Sequence, residues 1–152
     1  MGGGLLTASL APACSQGAVE IQMLGTGSGA EVWFDPIGLH VPAGTTVRWR
    51  NRDPGNSHTA TAYPLRIPAQ AAAWNSDYLL PDETFAVVLE VEGVYDYFCK
   101  PHEHAGMVGR IVVGRPLQAP LAGGIPAVAL LALPTVADIV RLGAVQAPRG
   151  GR

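Results

Sequence analysis

The sequence predicts an all-β fold: a Greek-key β-sandwich of seven to eight short strands, with a short C-terminal helix in an appended tail. Three observations carry this expectation. Apolar and polar residues alternate with a period of two in several segments between residues 19 and 114, the pattern of half-buried strands. No helical period is sustained before the tail. The 152 residues include 19 Gly and 13 Pro, a turn-rich composition that suits many short strands at regular spacing. Hydrophobic residues make up 48% and charged residues 14%, which places the chain among globular proteins rather than disordered ones.

In chain order, residues 1–18 form a leader. Leu5 to Ala13, "LLTASLAPA", is short, apolar and rich in small residues, and Cys14 follows it. No Lys or Arg precedes this run, so the basic start of an export signal is missing. "LAPAC" loosely resembles the lipobox of bacterial lipoproteins, although Pro12 is unusual there. Lipid attachment at Cys14, simple cleavage and a free thiol all stay open. The expected location is exported: periplasmic, or at the outer face of the cytoplasmic membrane.

Residues 19–114 form the main domain. "AVEIQML" and "AEVWF" open the strand series. In "LHVPAGTTVRWRN" a Pro-Ala-Gly turn leads to a strand with Val47, Trp49 and Asn51 on one face and Arg48 and Arg50 on the other. "RDPGNS" is a turn cluster, and "HTATAY" a short strand. Residues 64–83 form a long connection that has room for a helical turn. Alternation returns at Thr84, with Phe85, Val87, Leu89 and Val91 facing one way. "VYDYFC" and "GRIVVG" close the series. An antiparallel arrangement with Greek-key connections fits this spacing.

Residues 115–152 are a C-terminal extension. Pro116 to Ala137 is uncharged and long enough to cross a bilayer, but Pro120, Pro126, Pro134 and Gly123-Gly124 interrupt it. A short helix is expected after Thr135, with Thr135 and Asp138 as a capping pair, Val136, Ile139 and Val140 as its apolar face and Gly143 as its end. Such a helix either packs on the sandwich or makes peripheral contact with a membrane or partner.

The net charge of −2 gives nucleic-acid binding no electrostatic support. Residues 20–114 carry 11 acidic and 6 basic residues, and the tail carries one Asp against 4 Arg. The two cysteines, Cys14 and Cys99, could pair on count alone, but one sits in the leader and the other has a better use.

That use lies in "FCKPHEHAGM", residues 98–107. Cys99, His102 and Met107 place a thiolate, an imidazole and a thioether on one short loop, stiffened by Pro101, with Gly106 permitting close backbone approach. Soft and borderline donors of this kind suit copper in both its oxidation states. His58, just after the "RDPGNS" turn, is the candidate for the missing ligand. Two imidazoles, one thiolate and a weak axial methionine make a blue-copper electron-transfer site.

The run "VEGVYDYFCKPHEHAGMVGRIVVG" resembles the C-terminal ligand loop of the cupredoxins, in the plastocyanin, pseudoazurin and halocyanin-like branch. The matching elements are Tyr-x-Tyr-x-Cys, Cys99-x-Pro101-His102, Gly106-Met107 and the closing strand. "HVPAGTTVRWRNRD", "NSHTAT" and "NSDYLLPDETF" resemble earlier segments of the family. The resemblance spans about residues 19–114. It implies an eight-stranded Greek-key sandwich, one type 1 copper held by His58, Cys99, His102 and Met107, and single-electron shuttling between redox proteins. Many relatives have Asn after the first histidine; this chain has Thr59.

The expected role is a monomeric, non-enzymatic electron carrier whose redox protein partners dock near His102, where Pro101, Ala105, Gly106 and Met107 supply small apolar surface. Membrane contact would come only through Cys14 or the tail. The alternative is copper storage, delivery or sensing. Multicopper oxidases and nitrite reductases need more histidines than His40 and His104 can add, and a dinuclear purple-copper site needs a second loop cysteine. His104 is expected to be an exposed loop residue, His40 a partly buried structural one, and Trp33, Trp49 and Trp74 packing residues.

Overall fold

The computed structural model describes residues 17–116 and 123–148. Residues 1–16 of the leader, Cys14 among them, residues 117–122 of the uncharged stretch and the last four residues lie outside the described part.

Two sheets face each other. The first has the order β2-β1-β4-β6, built from β1 (Val19–Gly25), β2 (Val32–Asp35), β4 (Thr45–Asn51) and β6 (Thr84–Leu89). The second has the order β5-β7-β8-β3-β9, from β3 (Gly38–Val41), β5 (Thr61–Ala62), β7 (Gly93–Phe98), β8 (Val108–Val113) and β9 (Ala144–Val145). The alternation predicted for β4 holds: Val47, Trp49 and Asn51 are buried, while Arg48 is exposed. Val47 and Trp49 meet Ile21, Met23, Phe34, Tyr95, Tyr97 and Ile111 between the sheets. Trp49 and Trp74, with ring centroids 5.5 Å apart, are core packing as expected, and Trp33 is half-buried.

The expectation of purely antiparallel sheets is corrected. β1 pairs with β4 in parallel, and so does β3 with β8. The chain changes sheets between β2 and β3 and again between β3 and β4, so β1 and β4, and β3 and β8, pair although they are not neighbours in sequence. Period-two alternation reports which face a residue takes, not which strand it pairs with. Residues 64–83 contain no helical turn; they run as turns with isolated bridges, His58 to Leu79 and Thr61 to Asn75.

The tail adds more than one helix. α1 (Ala127–Ala132) and α2 (Val136–Leu142) are followed by β9, which pairs with β3 and gives nine strands among the described residues. α2 starts where the capping pair was expected: Thr135 Oγ1 accepts the Asp138 N–H at 3.1 Å, and Gly143 ends it at φ 76°. Its apolar face is narrower than predicted. Ile139 is buried above Gly38, where no side chain separates helix from strand, while Val140 is 42% exposed. α1 was not anticipated, because prolines flank it and its apolar residues show no stripe. It sets Ala129 against Tyr63 and Val108 in a second small core.

Beneath the tail lies a buried ion cluster. Asp96, in β7, accepts from Arg66 Nε at 2.8 Å and from Arg110 Nε at 2.7 Å. Arg66 also donates to the carbonyl of Gly123, and Arg110 to that of Pro134, so the two arginines hold the tail on either side of α1. Among the described residues no helix is long and apolar enough to cross a membrane.

Candidate metal centre

The four predicted residues arrive at one end of the sandwich from two places. Cys99 follows β7, and a 3₁₀ helix (Lys100–Ala105) carries His102 before Met107 leads into β8. Proline in its first turn fits the fixed φ of that ring. Gly106 ends it at φ 80°, a conformation that disfavours other residues. The loop closes on itself: Cys99 N–H donates to the Met107 carbonyl at 3.0 Å, and Met107 N–H to that of His102 at 3.1 Å. Tyr63 O–H donates to Glu103 at 2.6 Å and ties the loop to the body.

His58 comes from the other side. Its backbone pairs with Leu79, and Asn51 Nδ2 donates to the carbonyls of Asn56 and Leu79, so the turn before it is pinned from the core. His58 Nδ1 lies 3.6 Å from Cys99 Sγ, and His102 Nδ1 lies 3.4 Å from it. The three donor atoms fall within 4.8 Å of one another. His58, Cys99 and Met107 are fully buried, and His102 is half-buried.

The donor set fits a thiophilic cation. Burial lowers the pKa of His58, which keeps its imidazole neutral and able to ligate, although a hydrogen bond to Asp53 opposes the shift. Burial pushes the Cys99 thiol up to about 11, so a metal must displace its proton. Thr59, which follows His58, braces the site in two ways. Its N–H points at Cys99 Sγ from 3.3 Å, and its hydroxyl accepts the Lys100 N–H at 2.9 Å, bracing the ligand loop.

The surface around His102 differs from the expectation in one respect. Pro101 and Ala105 are exposed, but Met107 is wholly buried and contributes no surface, because its backbone already turns into β8. Gly106 is partly covered by α1, whose Ala132 would sit 3.7 Å from a Cβ there. His104 is exposed, as predicted, and His40 is half-buried with Nε2 2.8 Å from the Gly114 carbonyl.

Sequence reasoning missed Asp53. It was read only as part of a turn, yet its carboxylate lies 3.0 Å from His58 Nε2. An acidic residue five positions before a candidate ligand is the only local signal, and turns are full of aspartates.

A β-sandwich that gathers two imidazoles, a cysteine and a methionine at one end defines the class of blue-copper proteins. A family profile described as copper binding proteins, plastocyanin/azurin family, matches residues 21–114. The chain is 36% identical to the chloroplastic plastocyanin of Tetradesmus obliquus over 115 residues, covering 72% of this chain and 77% of that one. It is 39% identical to the chloroplastic plastocyanin of Chlamydomonas reinhardtii over the same length and coverage. The crystal structure of pseudoazurin from Methylobacterium extorquens AM1 superposes with a TM-score of 0.61 at 25% identity, covering 74% of this chain and 90% of that one. The chain belongs to the plastocyanin/azurin family. It is a copper-binding, type 1 electron-transfer protein.

Proposed function

We propose that His58, Cys99, His102 and Met107 hold the copper ion, and that electrons pass through the His102 edge to redox proteins that dock there. The observation that carries this is the approach of both Nδ1 atoms to Cys99 Sγ, at 3.6 and 3.4 Å, in a buried site. Copper supplies the one-electron couple. The chain's own part is to keep water away, present the imidazoles neutral and hold the ligand loop rigid through Thr59, Tyr63 and the loop's own hydrogen bonds. A site already framed in the fold need change little between oxidation states.

Burial of three of the four ligands leaves no evident position for a substrate, which supports a carrier rather than an enzyme. His102, half-buried between exposed Pro101 and Ala105, supports brief docking at that end by a partner with a small apolar patch. The protein would act as a monomer outside the cytoplasm, with Cys14 as the candidate point of lipid attachment. Visible absorption and EPR of the Cu(II)-loaded protein test the ligand set, beside a Cys99→Ser variant. An intense blue band with narrow copper hyperfine splitting, lost in the variant, is the expected result. A pale protein with ordinary copper EPR, unchanged by the substitution, overturns it and favours copper handling instead.

A further inference from the structure

Asp53 is 2% exposed and His58 is fully buried. A carboxylate set among hydrogen-bond donors can only accept. Asp53 Oδ1 takes the Gly55 N–H at 2.9 Å, and Oδ2 takes an Asn56 Nδ2 hydrogen at 2.8 Å. The contact of Oδ2 with His58 Nε2 at 3.0 Å therefore requires the proton to sit on Nε2. The lone pair is then on Nδ1, the atom that faces Cys99 Sγ. The place is built for this carboxylate: a Cβ at Gly25 would overlap Asp53 Oδ2, so the end of β1 leaves room for it only as glycine. Asn51 Oδ1 accepts the Asp53 N–H at 2.9 Å and fixes the backbone beneath.

We propose that Asp53 is a positioning residue for the metal centre: its buried carboxylate fixes the ligating tautomer of His58 and biases the site toward the oxidised ion. A metal-bound histidine that donates its other N–H to a carboxylate becomes a stronger base, and such partners affect metal affinity strongly. A full negative charge behind the imidazole, with little water to screen it, favours Cu(II) over Cu(I) by plain electrostatics. An asparagine would have one acceptor oxygen where the carboxylate uses two, so it could keep the bonds from His58 Nε2 and Asn56 only by turning its amide nitrogen toward the Gly55 N–H. The inference rests on His58 being a ligand.

The tests are the His58 tautomer, read by nitrogen NMR in the metal-free protein, and the reduction potential of the copper protein. The wild-type chain is expected to carry the proton on Nε2. Asp53→Asn removes the charge and should lower the Cu(II)-to-Cu(I) affinity ratio at least about tenfold, a rise in potential of about 59 mV for one electron. Gly25→Ala should displace the carboxylate without removing its charge, mixing the tautomers and shifting the potential. A proton on Nδ1 in the wild-type chain overturns the proposal, and needs no variant to be seen. So does an Asp53→Asn protein with an unchanged potential. A wild-type chain that fails to form the blue site refutes the ligand assignment instead, and the metal-free tautomer still judges Asp53.

Discussion

The sandwich buries two polar clusters. At one end His58, Asp53 and Cys99 sit with half-buried His102; under the tail Asp96 sits between Arg66 and Arg110. The second cluster completes itself. Both Asp96 oxygens are taken by guanidinium groups, and the arginines spend further donors on tail carbonyls. The first does not. It sets two ring nitrogens beside a buried thiol, with a carboxylate behind one of them. Burial of charged or ionisable groups is thus not the mark of function here. The mark is a set of soft donors converging on one point with, among the described residues, no Lys or Arg paired to them, whereas the Asp96 cluster supplies its own cations and closes the structure.

This contrast can be broken most forcefully at Asp96. Asp96→Ala removes the carboxylate that both buried guanidinium groups share and should cost about 3–5 kcal/mol of folding stability. Urea denaturation of the metal-free protein would measure it, and any copper protein recovered should still be blue. If the tail cluster contributes no more than a surface pair, the midpoint will barely move.

Copper should act on the other cluster. At a free concentration 100 times its dissociation constant, the ion should stabilise the fold by about 2.7 kcal/mol. Cys99→Ser should lose most of that gain. Thermal unfolding with and without copper reads both, and equal midpoints would mean that the ion does not bind the folded site.

Thr59 offers a smaller effect. Thr59→Ala removes the acceptor for the Lys100 N–H but keeps the backbone N–H beside Cys99 Sγ. The expected loss is about 1 kcal/mol, with the blue band retained and hydrogen exchange at Lys100 faster.

The pH response of the metal-free protein should be the gentlest. Burial lowers the pKa of His58, so the unfolded chain takes up a proton at higher pH than the folded one. For Asp53, burial works the other way, but hydrogen bonds from Asn56, Gly55 and His58 outweigh it and hold the carboxyl below its usual value. Its contribution is present above the ordinary aspartate range and is lost as pH falls through the lowered value. Both groups therefore make stability decline with acid, starting near about pH 6.5 with His58 and continuing into the carboxylate range. Denaturant midpoints between neutral and acid pH would show it, and a midpoint that rises on acidification would refute the assignment.

Much of the loop half of the site was legible in the sequence. Cys99, His102, Gly106 and Met107 lie within one turn-linked stretch, where spacing nearly dictates geometry: proline stiffens the 3₁₀ helix and glycine ends it. The inward faces of β4 and β6 were legible too, because a strand's period of two assigns each side chain to a face. So were the caps of α2, where a threonine and an aspartate three residues apart meet across one turn.

The tertiary structure decided what depends on approach across space. His58 and Cys99 are 41 residues apart, and only the packing of the two sheets brings their donors to 3.6 Å. The sequence named His58 by its place after the "RDPGNS" turn, and the family likeness agreed, but the contact itself is a product of the fold. Asp53 gained its place behind His58 because β1 ends in a glycine beside it, a relation that no local pattern records. The parallel pairs, the two-residue strand β9, the seat of α1 over the ligand loop and the Asp96 cluster share this character. Local sequence sets which face a residue takes and how a turn closes, because those depend on neighbouring dihedrals and side chains. Which faces then meet is settled by burial and ion pairing over the whole chain.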